Sequence, residues 1–197
     1  MLKKLTLLAA GFASAFAMNN VELNVNSKDL EMGVTLDMGQ FNDSIEPDTV
    51  FIGGKFLSAD VKNSDYTSSS QMDDYMELNF LMKREMDNSG LTIGLGAKLN
   101  GTKDFMSVPL GGEVSYKLPL DLSMPFYVGG AVYFAPSVLT MSDADSFMET
   151  RITLDVEIIE NALVTLGYRN IDTNYEKPTA RDINYNSSVY AGVRFKF

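Results

Sequence analysis

From Val189 to its last residue the chain alternates without a break. Val189, Ala191, Val193, Phe195 and Phe197 fall on one face of a strand, and Tyr190, Gly192, Arg194 and Lys196 fall on the other. The same two-faced pattern recurs upstream. Ala162, Val164, Leu166 and Tyr168 alternate with Thr165, Gly167 and Arg169, while Met148, Ile152, Leu154, Val156 and Ile158 alternate with Glu149, Arg151, Thr153, Asp155 and Glu157. Further alternating segments lie near residues 126–135, 107–118, 91–100, 75–84, 50–58, 30–38 and 20–26, which makes ten candidate strands. Segments at 172–183, 136–147, 100–106 and 59–74 then lie at one end of the strands, and 159–161, 119–125 and 85–90 at the other. The long polar connections share one end and the short turns the other, as in membrane barrels whose termini both face the periplasm. The segment Gly39 to Thr49 is long for a periplasmic turn, which leaves eight strands as the alternative, the first two segments pairing outside the wall or capping its base.

One face of these strands is apolar and the other carries charge: Glu22, Glu31, Asp37, Lys55, Glu77, Lys83, Lys98, Glu113, Lys117, Glu149, Arg151, Asp155, Glu157, Arg169, Arg194 and Lys196. Such residues are strongly disfavoured in lipid, so the pattern predicts a closed antiparallel transmembrane β-barrel with an apolar exterior and a lumen filled by balanced acids and bases. Gly94, Gly96, Gly111, Gly129, Gly167 and Gly192 share the charged face, as expected where long side chains need room.

The amino terminus supplies an address. Lys3 and Lys4 precede a short apolar run from Leu5 to Phe16, and Ala15-Phe16-Ala17 has the small-x-small form of a cleavage site, so residues 1–17 read as a secretory signal peptide and 18–197 as the barrel. The apolar run is too short to cross a bilayer as a helix. With the signal removed, 14 Lys and Arg face 26 Asp and Glu, a net charge of −12, which makes nucleic acid a poor partner. The expected surroundings are outer-membrane lipid and, during insertion, the barrel-assembly machinery, with the mature protein a monomer. The ending Val193-x-Phe195-x-Phe197 resembles the carboxy-terminal signal read by that machinery.

The stretches YKLPLDLSMPFYV (Tyr116 to Val128), FAPSVLTMSDADSFMETR (Phe134 to Arg151) and VEIIENALVTLGYRNIDTNY (Val156 to Tyr175), with the final VYAGVRFKF, resemble the YfaZ family of small outer-membrane proteins. In the first half VELNV after the signal and GLGAKL at Gly94 to Leu99 carry the likeness. The resemblance implies an outer-membrane barrel and hands over no catalytic residue.

Candidate chemistry is sparse. The chain has no His and no Cys, so it lacks the usual general base of a serine hydrolase, the usual zinc ligands and any disulfide. Ser115 near Lys117 is a formal Ser–Lys pair better read as packing. Asp143 and Asp145 with Asp73 and Asp74 have no calcium-loop spacing and read as solvated loop carboxylates. Arg169 is placed in the lumen and Asp172 near the outer rim, as an interior ion pair or loop-fixing contact. No catalytic, cofactor or metal site is expected. The sequence leaves two roles: a non-enzymatic barrel that is structural or presents its surface loops, or a narrow channel or carrier for a small solute.

Overall fold

The computed structural model describes residues 20–27, 29–59, 74–87, 89–103, 105–142, 144–175 and 183–196. The strands are β1 (Asn20–Val25), β2 (Asp29–Asp37), β3 (Val50–Ala59), β4 (Tyr75–Met86), β5 (Leu91–Gly101), β6 (Phe105–Ser107), β7 (Leu110–Lys117), β8 (Phe126–Ala135), β9 (Thr140–Ser142), β10 (Ala144–Ile159), β11 (Ala162–Tyr175) and β12 (Ile183–Lys196). Ten of them form the wall, in the order β4-β3-β2-β1-β12-β11-β10-β8-β7-β5, and β4 pairs with β5 to close it. Every pairing is antiparallel, and β1 joins β12 with Glu22 opposite Arg194. Closure leaves no open edge in the wall, which is the condition for a sheet to lie in hydrocarbon.

The first two segments are wall strands, so the eight-strand alternative is excluded. The long connection after β2 is organised rather than extra wall. The Asp37 carboxylate caps a 3-10 turn at Met38–Gln40 by accepting from Gly39 N at 3.0 Å, and also accepts from Asp48 N at 2.7 Å. Asp37 therefore fixes a rim loop. At the β10–β11 hairpin Asn161 takes φ 66°, a left-handed conformation that Asn tolerates, and its N–H donates to Glu157 Oε1 at 3.4 Å.

The segments read from sequence as plain outer connections, 100–106 and 136–147, hold two short strands. β6 pairs with both β5 and β9, building a small flap beyond the wall. Three-residue strands are too short to show a period, which is why alternation does not reveal them. A bulge between Ala144 and Ser146 then turns both Ala144 and Phe147 inward.

The wall is apolar outside and polar inside, the reverse of a water-soluble protein. Leu95 is 71 % exposed and Leu78 62 %, whereas Arg169 and Glu149 are fully buried. Large inward rings sit where the facing strand offers glycine. Tyr190 lies opposite Gly167, and a Cβ built there would run into the Tyr190 ring; Tyr133 lies opposite Gly111 in the same manner, with its Cδ1 2.8 Å from such a Cβ. No other residue leaves room for those rings.

Candidate functional site

The middle of the lumen is crossed by a chain of charges. Arg151 on β10 grips Glu31 on β2 with both ends of its guanidinium, Nη1 to Oε1 and Nη2 to Oε2, each at 2.7 Å, and its Nε donates to Glu149 Oε1 at 2.5 Å. Lys98 on β5 then joins Glu149 at 2.6 Å to Glu77 on β4 at 3.1 Å. Arg169 on β11 continues from the other side, donating from Nη1 to Glu31 Oε2 at 2.6 Å and from Nη2 to Asp29 Oδ1 at 3.0 Å. Asn24 donates to Glu31 at 2.8 Å, and Asn186 accepts from Arg169 Nε at 3.2 Å while donating to Asp29. β2 and β10 are four strands apart along the shorter way round a ten-strand wall, so the Glu31–Arg151 pair reaches across the lumen rather than along its side.

Each of these side chains is aimed inward by period-two alternation, and the low dielectric makes their mutual satisfaction obligatory. An unpaired charge in such surroundings costs roughly several kcal/mol, while a bidentate Arg–carboxylate pair with further hydrogen bonds offsets most of its own desolvation. The rings beside the chain add to this: Lys98 Nζ lies 3.9 Å from the centroid of Tyr133, and Arg169 Cζ lies 5.3 Å from that of Tyr190.

Beyond this layer, toward the end carrying β6 and β9, the lumen is apolar. Leu57, Tyr75, Phe105, Ala135, Ala144, Phe147 and Ile171 form one buried cluster, with Phe147 stacked between Tyr75 (centroids 6.4 Å apart) and Phe105 (5.9 Å). Toward the other end lies a looser polar layer. Glu22 holds Lys55 at 2.8 Å and Arg194 at 3.5 Å, Tyr133 donates to Glu113 at 3.0 Å, and Lys83 stands over the Phe51 ring at 4.4 Å.

The sequence expectation of eight inward acids balanced by eight inward bases is refined by these positions. Ion pairs join the acids Glu22, Asp29, Glu31, Glu77 and Glu149 to the bases Lys55, Lys98, Arg151, Arg169 and Arg194. Asp155 is buried but accepts from Thr153 and Thr165 rather than from a cation. Glu157 accepts from Tyr127 at 3.2 Å, near the β10–β11 hairpin. Lys117 and Lys196 are exposed at that same end and lie outside the buried chain, so they are not lumen-network residues. Burial alone separates them from Lys98, because depth along a strand is invisible to alternation.

Asp29 is the member that sequence reasoning misses, although it shares the parity of Glu31, the signal that could have found it. Arg169 pairs with Asp29 and Glu31, while Asp172 turns outward and accepts from Asn170. Ser115 lies half-buried two residues from exposed Lys117, an open and solvated setting that does nothing to activate a nucleophile. Among the described residues no cluster of three or more acids, His or Cys is placed to hold a metal ion. Val193 and Phe195 face outward on β12; Asp73, Asp143 and Phe197 lie outside the described residues.

Among solved structures the chain is similar to one described as a KdgM porin, at 9 % identity and a TM-score of 0.47, covering 91 % of this chain and 98 % of that one. No curated protein matches it. The family model described as "YfaZ precursor" matches residues 4–197, nearly the whole length. An inverted, fully closed ten-strand wall and a match of that extent lead to one conclusion: the chain belongs to the YfaZ family.

Proposed function

We propose that this protein is an occluded, non-enzymatic barrel of the bacterial outer membrane, exported by a signal peptide that is cleaved after Ala17, and that it serves as a structural wall or as a support for its surface loops. The observation that carries the reading is the transverse chain Glu77–Lys98–Glu149–Arg151–Glu31–Arg169–Asp29, which crosses the lumen at its middle. For a solute to pass, charge-assisted hydrogen bonds in a low-dielectric interior would have to break together, and the aromatic cluster around Phe147 would have to part as well. A barrel of this strand number has little interior to spare once such side chains fill it.

Planar-bilayer recording tests this. Purified protein inserted in bilayers is expected to give no stable, ion-selective conductance at moderate voltage. A steady open pore, above all one whose ion selectivity shifts in Arg151 or Arg194 variants, would replace the structural reading with the narrow channel or carrier.

A further inference from the structure

The apolar row on the outside of β7 does not stop where the strand stops. Val114 and Tyr116 on β7 and Val128 on β8 face outward, and every even position between them is apolar: Leu118, Leu120, Leu122, Met124 and Phe126. The odd positions of the turn are Pro119, Asp121, Ser123 and Pro125. Residues 118–125 are not strand, yet Leu120, Leu122 and Met124 all stay exposed, Leu122 to 58 %. Beside them, at the β10–β11 hairpin, Ile158 and Ile159 are exposed as well. Glu157 N donates to Pro125 O at 3.0 Å, so the turn is tied to β10, and the five side chains belong to one end of the neighbouring strands β7, β8 and β10.

The main chain of this turn limits how deep it can lie. Leu118 N donates to Phe126 O and Leu120 N to Leu118 O, each at 2.8 Å, and Pro119 and Pro125 have no N–H to satisfy. A lipid-exposed irregular backbone is still barred from the hydrocarbon core. It is accommodated at the boundary between acyl chains and headgroups, where apolar side chains dip inward and polar ones face water. Apolar residues alternating with Asp121 and Ser123 meet that requirement. The connection at 38–49, at the same end on the opposite side of the wall, differs in carrying Asp43, Glu46 and Asp48.

We propose that the turn at 118–125 rests in the phospholipid leaflet at its own end of the barrel, with Leu120, Leu122 and Met124, joined by Ile158 and Ile159, at the edge of the acyl chains. The proposal rests on the reading of the protein as an outer-membrane barrel, in which this is the inner leaflet. Two observations favour lipid over a protein partner. The apolar row runs without a gap into the outward row of Tyr116 and Val128. Five half-exposed aliphatic side chains also fall short of the roughly 800 Å² that a specific protein interface buries on each partner.

The chain contains no Trp, so a single introduced Trp reports its own position. Leu122→Trp, Asp43→Trp and Val128→Trp are each refolded into phosphatidylcholine vesicles, plain or brominated near the headgroup end of the acyl chains, and folding is checked by heat-dependent gel mobility. Leu122→Trp is expected to lose about half of its emission or more in brominated vesicles, as Val128→Trp does, and to be quenched by aqueous acrylamide several-fold less than Asp43→Trp. Leu120→Trp is the second reporter should Leu122→Trp not fold. A folded turn variant that brominated lipid leaves bright, and that acrylamide quenches as fully as Asp43→Trp, overturns the proposal and leaves the turn to water or to a protein partner. If Val128→Trp also escaped the brominated lipid, the membrane reading beneath the proposal would fall instead.

Discussion

Replacing Arg151 by Met is the sharpest test of the interior. The substitution keeps an unbranched chain of similar reach but removes three hydrogen bonds, two at 2.7 Å to Glu31 and one at 2.5 Å to Glu149. Charge centres about 4 Å apart at an effective dielectric of about 20 interact by roughly 4 kcal/mol, and Glu31 and Glu149 are both buried. Neither acid is stranded outright, because Glu31 keeps Arg169 and Asn24, and Glu149 keeps Lys98. The expected loss is therefore about 3 to 5 kcal/mol, the range for breaking a buried pair, rather than the sum of every lost bond. Lys117→Met, at an exposed rim position, should change stability by no more than about 0.5 kcal/mol. Urea unfolding of the refolded barrel, followed by far-UV circular dichroism and by gel mobility without heating, measures both. Adding Glu149→Gln to Arg151→Met should recover about 1 to 3 kcal/mol by reducing the excess of negative charge, since without Arg151 the acids Glu77, Glu149, Glu31 and Asp29 face only Lys98 and Arg169. If Arg151→Met were no worse than Lys117→Met, the transverse chain would not hold the interior.

Three further outcomes are expected. Arg at Leu154, which faces outward, should cost about 2 to 4 kcal/mol if it lies near the bilayer midplane, whereas Arg at inward Thr153 should cost clearly less; equal penalties in the same unfolding assay would reverse the inside and outside assignment. Gly167→Ala should lose about 1 to 3 kcal/mol because its Cβ would collide with the Tyr190 ring, and Tyr190→Leu in the same chain should recover much of that, so a neutral Gly167→Ala would refute the ring-over-glycine packing. Phe197→Asp should block assembly yet leave export and signal cleavage intact, read as absence of the heat-modifiable band in the membrane fraction; normal folded levels would show the terminal aromatic to be dispensable.

Alternation by itself determined the class of fold, the face that meets lipid and the inward aim of Lys98, Glu149, Arg151 and Arg169, because a strand has a period of two and lipid tolerates only one of its faces. It also indicated the ends at which connections lie, since strand direction reverses at each hairpin. The tertiary structure decided what alternation does not carry. Which acid meets which base depends on register between strands distant in sequence, so the Glu31–Arg151 pair, 120 residues apart, could not be read from either strand. Depth along the strand separates Lys98 in the buried chain from Lys117 at the rim, although both share inward parity. The apolar cluster at Phe147 needed a bulge and two strands too short to show a period. Periodicity is a local property of one segment, whereas pairing, depth and closure belong to the whole wall.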